Sequence, residues 1–263
     1  MLWLHIEAPF AVCRTFTAGW YRPTATFLTP SAAYGLVLNI AGIESRLPEG
    51  APGHDGKTPA TLTAPNLPAM KLALGAPAVD RDGRTIGFAD AFPRVQSVYQ
   101  QLHNYPVGKG NKVDDPENPG EKAYQGDIAA RRVRGNKSNI TPVRREFLSD
   151  LRAVIGIDAD ADTLDRVRRG LAGELVGERP RYGVPFLGDN NFLLDRADLL
   201  ETPRPAFWFA PVVDSVNGPR ARTTRLTIRI DRADLSRTTS QLFAPAAEGA
   251  AEPPTESWIA AAM

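Results

Sequence analysis

"TPVRREFLSDLRAVIGI", residues 141–157, decides the reading of the fold. Its apolar and β-branched content reads as a core strand. Immediately before it, from Gly108 to Thr141, apolar periodicity is almost absent, while Lys109, Lys112, Lys122, Arg131, Arg132, Arg134 and Lys137 accumulate. The chain therefore leaves one sheet and re-enters it, and about residues 108–143 form an inserted hairpin or thumb. Immediately after it, "DADTLDRVRRGLAGEL" (160–175) predicts a helix, with acids where the macrodipole favours them and Leu164, Val167, Leu171 and Leu175 along one face.

Working outward, Leu2, Leu4 and Ile6 alternate with Trp3, His5 and Glu7, the period of two of a half-buried strand. Thr29-Pro30-Ser31 gives a helix start, a hydroxyl cap followed by a proline suited to the first turn. Ala33, Leu36, Ile40 and Ile43 then share one helical face. Residues 47–68 are too rich in proline and glycine for regular structure. "VQSVYQQLHNYPV" (95–107) reads as the second strand of the core, and "FWFAPVV" (207–213) and "RLTIRI" (225–230) supply late strands. "FWF" at 207–209 fits either an apolar docking surface or the core. From Ala244 the chain turns to alanine, proline and glutamate, which predicts a mobile tail over 244–263. The order β, α, β, insertion, β, α, β predicts an α+β fold, a modified ferredoxin-like or RRM-type domain over 1–243 with a long thumb and additional C-terminal strands.

The 263 residues, 43% hydrophobic, suffice for a real core. With 31 basic against 30 acidic side chains, any basic surface is local. One cysteine, Cys13, forms no internal disulfide and suits a reducing, cytoplasmic setting. His5, Glu7 and Arg14 interrupt the opening apolar residues, so these do not read as a secretory leader, and no stretch approaches the roughly twenty apolar residues of a membrane span.

Two apparent motifs fail on spacing. Gly56-Lys57-Thr58 ends like a phosphate-binding loop, but Ala51 stands where the leading glycine belongs. Asp158, Asp160 and Asp162 alternate like a calcium loop, but Thr163 occupies the turn glycine's place and Arg169 that of the bidentate glutamate. One cysteine and three scattered histidines build no transition-metal set, and no cofactor is expected.

What survives is "RRVRGNKSNITPVRR" (131–145), an acid-free run that attracts polyanions whatever the net charge. Arg14, Tyr21 and Arg22 in "RTFTAGWYRPT" add guanidinium forks and aromatic faces, the pieces that clamp phosphates and stack unpaired bases. His103, Tyr105 and Lys109 stand close enough in sequence for acid–base chemistry, though a strand-end histidine is more often structural.

"PFAVCRTF", "YRPT" and "TPSAAYGLVLNIAGI", followed by "VQSVYQQLHNYPVG", "RREFLSDLRAVIG" and "YGVPFLGDNNFLLD", resemble the CRISPR-associated Cas-five family. That family belongs to the RAMP superfamily and supplies a subunit of type I crRNA-guided complexes (Cascade). The resemblance spans nearly all of the chain except the tail and is closest to the type I-B-like, DevS-type branch. It implies a modified RRM fold whose thumb curls over crRNA. The implied subunit caps the crRNA 5′ handle, contacts the first Cas-seven backbone subunit and the large Cas-eight-type subunit, and lies near the PAM of target DNA only indirectly, with no membrane partner. Carried over by position, Arg14, Tyr21, Arg22 and Thr24 border the handle groove, and Ser31, Tyr34 and Gly35 open the first helix against it. Lys109, Lys112, Arg131, Arg132, Arg134, Lys137, Arg144 and Arg145 track phosphates, and Gly188 allows close approach to RNA. One branch of the family is a metal-independent endoribonuclease that processes precursor crRNA. Here His103, Tyr105 and Lys109 would take that role, but the branch's adjacent lysine-histidine pair is missing. The expectation is therefore a non-catalytic subunit, with the endoribonuclease as runner-up and a solitary RRM-like RNA-binding protein third.

Overall fold

A computed structural model describes residues 1–15, 21–47, 50–51, 62–103, 112–125, 128, 140–175, 185–189, 191–213 and 221–261. The chain divides into two compact units, one made of Met1–Phe16, Pro23–Gln96 and Glu146–Met263, the other of Thr17–Arg22 and Ser97–Arg145.

In the first unit, β1 (Leu2–Ala11), α1 (Pro30–Ile40) and β2 (Met70–Pro77) form one βαβ half. The second half is the later part of β3 (Ile140–Asp158), α2 (Ala161–Leu171) and β4 (Arg196–Leu200). The strands interleave in the order β2-β3-β1-β4, every neighbour antiparallel, with Leu4 opposite both Ile155 and Leu199 and Leu74 opposite Ile155. Two interleaved βαβ halves are the ferredoxin-like arrangement the sequence predicts. Beyond β2 the sheet continues through β5 (Ala206–Pro211), β6 (Thr239–Pro245) and β7 (Thr224–Arg229). These are the expected additional strands.

Local chemistry sets the helices. Thr29 caps α1 by accepting from the Ala32 amide at 3.2 Å, and Pro30 occupies the first turn. Asp160 caps α2 through the Thr163 amide at 2.8 Å. Arg166 of α2 donates to the Ala41 carbonyl at 3.0 Å, satisfying an acceptor that the end of α1 leaves open. Both helices cover one face of the sheet, over Leu4, Ile6, Leu72, Leu74, Ile155 and Ile157. Phe207, Trp208 and Phe209 are all buried, so "FWF" is core.

On the other face, Trp3, Ala73, Val154 and Trp208 form a second apolar cluster. Gly156 makes room for it: a Cβ there would lie 2.7 Å from the Trp3 ring and 2.8 Å from that of Trp258. The Trp208 indole donates to Ala250 at 2.7 Å.

Two sequence expectations are corrected. The second strand of the ferredoxin-like core is Met70–Pro77, not 95–107. Residues Arg94–His103 are a strand, β8, but an added one that pairs with β3. "MKLALGAP" hides its role because its apolar side chains alternate with alanine and glycine, which suit a sheet covered on both faces. The mobile tail over 244–263 is also corrected. Pro245 closes β6, and Ile259–Ala261 forms β9, paired to Met70–Leu72. Trp258, Ile259 and Ala261 bring apolar surface that the free edge of β2 can bury.

In the second unit, Tyr21–Arg22 forms a short strand, β10, parallel to Arg144–Arg145 at the start of β3. Lys112–Asp114 (β11) and Lys122–Tyr124 (β12) make an antiparallel hairpin inside the expected thumb. Asp115 organises its turn, accepting from the Glu117 amide at 3.0 Å and the Asn118 side chain at 3.1 Å.

β1 and β3 also change faces together. Along β1 the members of the main core cluster run Leu2, Leu4, Ile6, Ala8 and then skip to Ala11; along β3 they run Ile157, Ile155, Ala153, Leu151 and then skip to Leu148. Pairing keeps one register throughout, from Leu2↔Ile157 to Ala11↔Leu148. The switch falls opposite Pro9 at Asp150, whose φ of 57° is left-handed. It turns Phe10 and Phe147 outward.

Candidate nucleic-acid interface

The second unit joins two segments that lie far apart in sequence. Tyr21 stands opposite Arg144 and Arg22 opposite Arg145. Successive side chains of a strand point to opposite faces, so Tyr21 and Arg144 share one face and Arg22 and Arg145 the other. The Arg144 guanidinium lies 5.2 Å from the centroid of the Tyr21 ring, which is 45% exposed. A flat ring with a cation over it offers a stacking face and a phosphate partner in one place. On the hairpin, Lys112 makes a similar contact, 5.4 Å from the Tyr124 ring centroid.

Other predicted residues fall differently. Arg14, in the first unit, is exposed and bridges the backbone of Thr24. Thr24 itself is a correction, because its hydroxyl is buried, accepts from the Cys13 amide at 2.9 Å and donates to the backbone. Tyr34 is a second. Its ring is buried in the core, its hydroxyl donates to Pro68 at 2.8 Å, and burial pushes its phenol up to about 12. Neither side chain is exposed. Ser31 is half-buried against the Thr29 hydroxyl at 3.1 Å, and Gly35 is half-buried on α1. Gly188 is exposed; a side chain there would collide with the Val12 carbonyl, and its φ is 80°, so the glycine serves a close approach within the chain.

Lys109, Arg131, Arg132, Arg134, Lys137 and Tyr105 lie outside the described residues. His103 ends β8, and its side chain also lies outside them. Among the described residues, no three histidine, cysteine or carboxylate side chains gather in a way that could hold a metal ion, and no helix is long and apolar enough to cross a membrane. Sequence reading passed over Phe10, Phe147 and Phe192, whose rings gather at the face switch. The available signal was a bulky aromatic beside a core residue in "PFA", "EFL" and "NFLL".

No family model and no curated protein matches the chain. Among solved structures, it is similar to a chain described as "CRISPR RNA-guided surveillance complex", at 14% identity and a TM-score of 0.48, over 95% of this chain and 91% of that one.

Proposed function

We propose that the chain is a non-catalytic crRNA-binding subunit of a type I CRISPR surveillance complex, holding the crRNA 5′ handle beside the Cas-seven backbone and the large subunit. The single observation that carries the reading is the pairing of Tyr21 and Arg22 with Arg144 and Arg145. It unites the two segments singled out for RNA, one aromatic and basic, the other the end of an acid-free basic run, on adjacent strands. The motif resemblance supports the same assignment and supplies the handle as ligand.

A fluorescent single-stranded RNA carrying the repeat-derived handle, titrated at several salt concentrations, tests this reading. With about four to six phosphate contacts, log affinity falls with log salt at a slope of roughly −3 to −4. A flat dependence overturns it.

A further inference from the structure

We infer that His5 is a protonation latch for residues 201–205, the connection between β4 and β5: the neutral ring holds Arg204 against the sheet, and the protonated ring lets it go. The imidazole is 2% exposed in the middle of β1, opposite Val154 of β3 and Asp198 of β4. Its two nitrogens face opposite charges. Nδ1 lies 3.2 Å from the Arg204 guanidinium, which can only donate, so Nδ1 accepts and the proton sits on Nε2. Nε2 lies 3.4 Å from the Glu7 carboxylate but has no hydrogen-bond partner among the described residues. A buried donor left unpaired beside a carboxylate is a cost that a small rearrangement would recover.

Protonation reverses which nitrogen is satisfied. With a hydrogen on each nitrogen the ring has no acceptor left for Arg204, and two cations face each other at contact distance. Glu7 and Asp198 favour the charged ring, whereas burial, Arg204 and Arg81, which pairs with Glu7, oppose it. Once Arg204 has swung away that opposition weakens, and Nε2 can donate to Glu7 in a charge-assisted hydrogen bond. The released arrangement therefore holds the proton more tightly than the latched one, and acid shifts the population toward it. The connection is free to respond. The β4 ladder fixes one end, and the Ala78 amide fixes the other by donating to Pro205 at 2.8 Å. Between them, among the described residues, Arg204 makes the connection's only side-chain hydrogen bond to the sheet.

Cleavage after the exposed Glu201 by a glutamate-specific protease reads the connection directly. The full chain is digested at pH 7.5 and 5.0, and each rate is divided by that of a free peptide spanning residues 196–207. Normalised cleavage of the wild type rises about tenfold or more at the lower pH, the loss expected for a hydrogen bond from a charged donor. Cleavage after Glu146, within β3, serves as the control for global unfolding and does not rise with it. His5→Asn, whose short amide offers an acceptor near the place of Nδ1 and takes up no proton, is cleaved slowly at both pH values. Arg204→Met is cleaved fast at both. A wild-type rate indifferent to pH, an equal rise after Glu146, a rise of wild-type size in His5→Asn, or slow cleavage of Arg204→Met at pH 7.5 overturns the inference. So does an imidazole nitrogen NMR spectrum at pH 7.5 that places the His5 proton on Nδ1.

Discussion

The Arg204 guanidinium lies 3.2 Å from Nδ1 of His5, and because arginine can only donate, this fixes the imidazole proton on Nε2. Nε2 lies 3.4 Å from the Glu7 carboxylate without a hydrogen bond to it, and Arg81 pairs with Glu7. The neutral ring thus lies between a cation and an anion on the sheet face that carries Trp3. It is only 2% exposed.

Stability should therefore fall in mild acid. Burial, outweighing the opposing pull of Glu7, lowers the His5 pKa below its ordinary 6.5. Above that value the ring is neutral both folded and unfolded. Below it the unfolded chain takes up the proton first, so stability is lost as pH falls through the folded pKa. Urea midpoints at pH 7.5 and 5.5 should differ in the wild type, and the difference should shrink in His5→Gln. An equal difference in both proteins would place the effect elsewhere.

Gly156→Ala should destabilise by about 1–3 kcal/mol through overpacking against Trp3 and Trp258. Gly188→Ala should cost at least as much, because backbone strain adds to the collision with Val12. Urea denaturation measures both. A midpoint at the wild-type value for either would show that the neighbouring segment moves aside freely.

Tyr21→Ala should weaken handle RNA binding by about 1–3 kcal/mol, the worth of one stacked base. Arg144→Ala should instead weaken binding and reduce the magnitude of the salt slope by about 1. Titrations at three salt concentrations separate the two effects. Equal, salt-independent losses would mean that the pair acts only as a structural contact.

Precursor crRNA incubated with the purified chain without metal should remain intact, since the adjacent lysine-histidine pair of the processing branch is missing here. Gel analysis of the RNA decides it. Cleavage that disappears in His103→Ala would establish the endoribonuclease reading.

A short glycine-serine linker joining Val107 to Arg144 should leave a cooperatively melting protein. The main described core cluster takes no residue from 97–145; its members lie in the first unit. The same deletion should abolish RNA retention on size exclusion, because it removes Lys109, Lys112, Arg131, Arg132, Arg134 and Lys137. Aggregation would mean that the segment supports the core, and undiminished RNA retention would mean that its cations are only a solvated surface.

What could be read in the sequence was local. The Thr29-Pro30 start, the Asp160 cap and the two-residue alternation of β1 each follow from neighbours in the chain, and each is present. What escaped needs a tertiary partner. The resemblance places Tyr34 against the handle groove, yet α1 buries Ala33, Tyr34, Leu36, Val37, Leu38 and Ile40, and a helix apolar all round is a buried one. In the candidate interface, the separate segments around Tyr21 and Arg144 were legible as basic and aromatic, but their parallel pairing depends on chain closure over more than a hundred residues. The tail looked featureless because its order depends on Trp3, and on an edge of β2 that composition does not reveal.

The interleaving of the two βαβ halves bears on how the protein acquires its shape during synthesis. β1 leaves the ribosome well before both of its sheet neighbours, which are encoded about 150 to 200 residues later. At about 5–20 residues per second, Leu4 and Ile6 wait roughly ten seconds or longer before Ile155 and Leu199 exist to cover them. Pairing at such separation makes folding slow compared with a local hairpin, because loop closure must precede any return from burial. Nascent chains arrested before residue 140 should accordingly carry β1 as an unpaired apolar strand, a natural client for a holding chaperone, and should become protease-resistant only once α2 and β4 have cleared the exit tunnel.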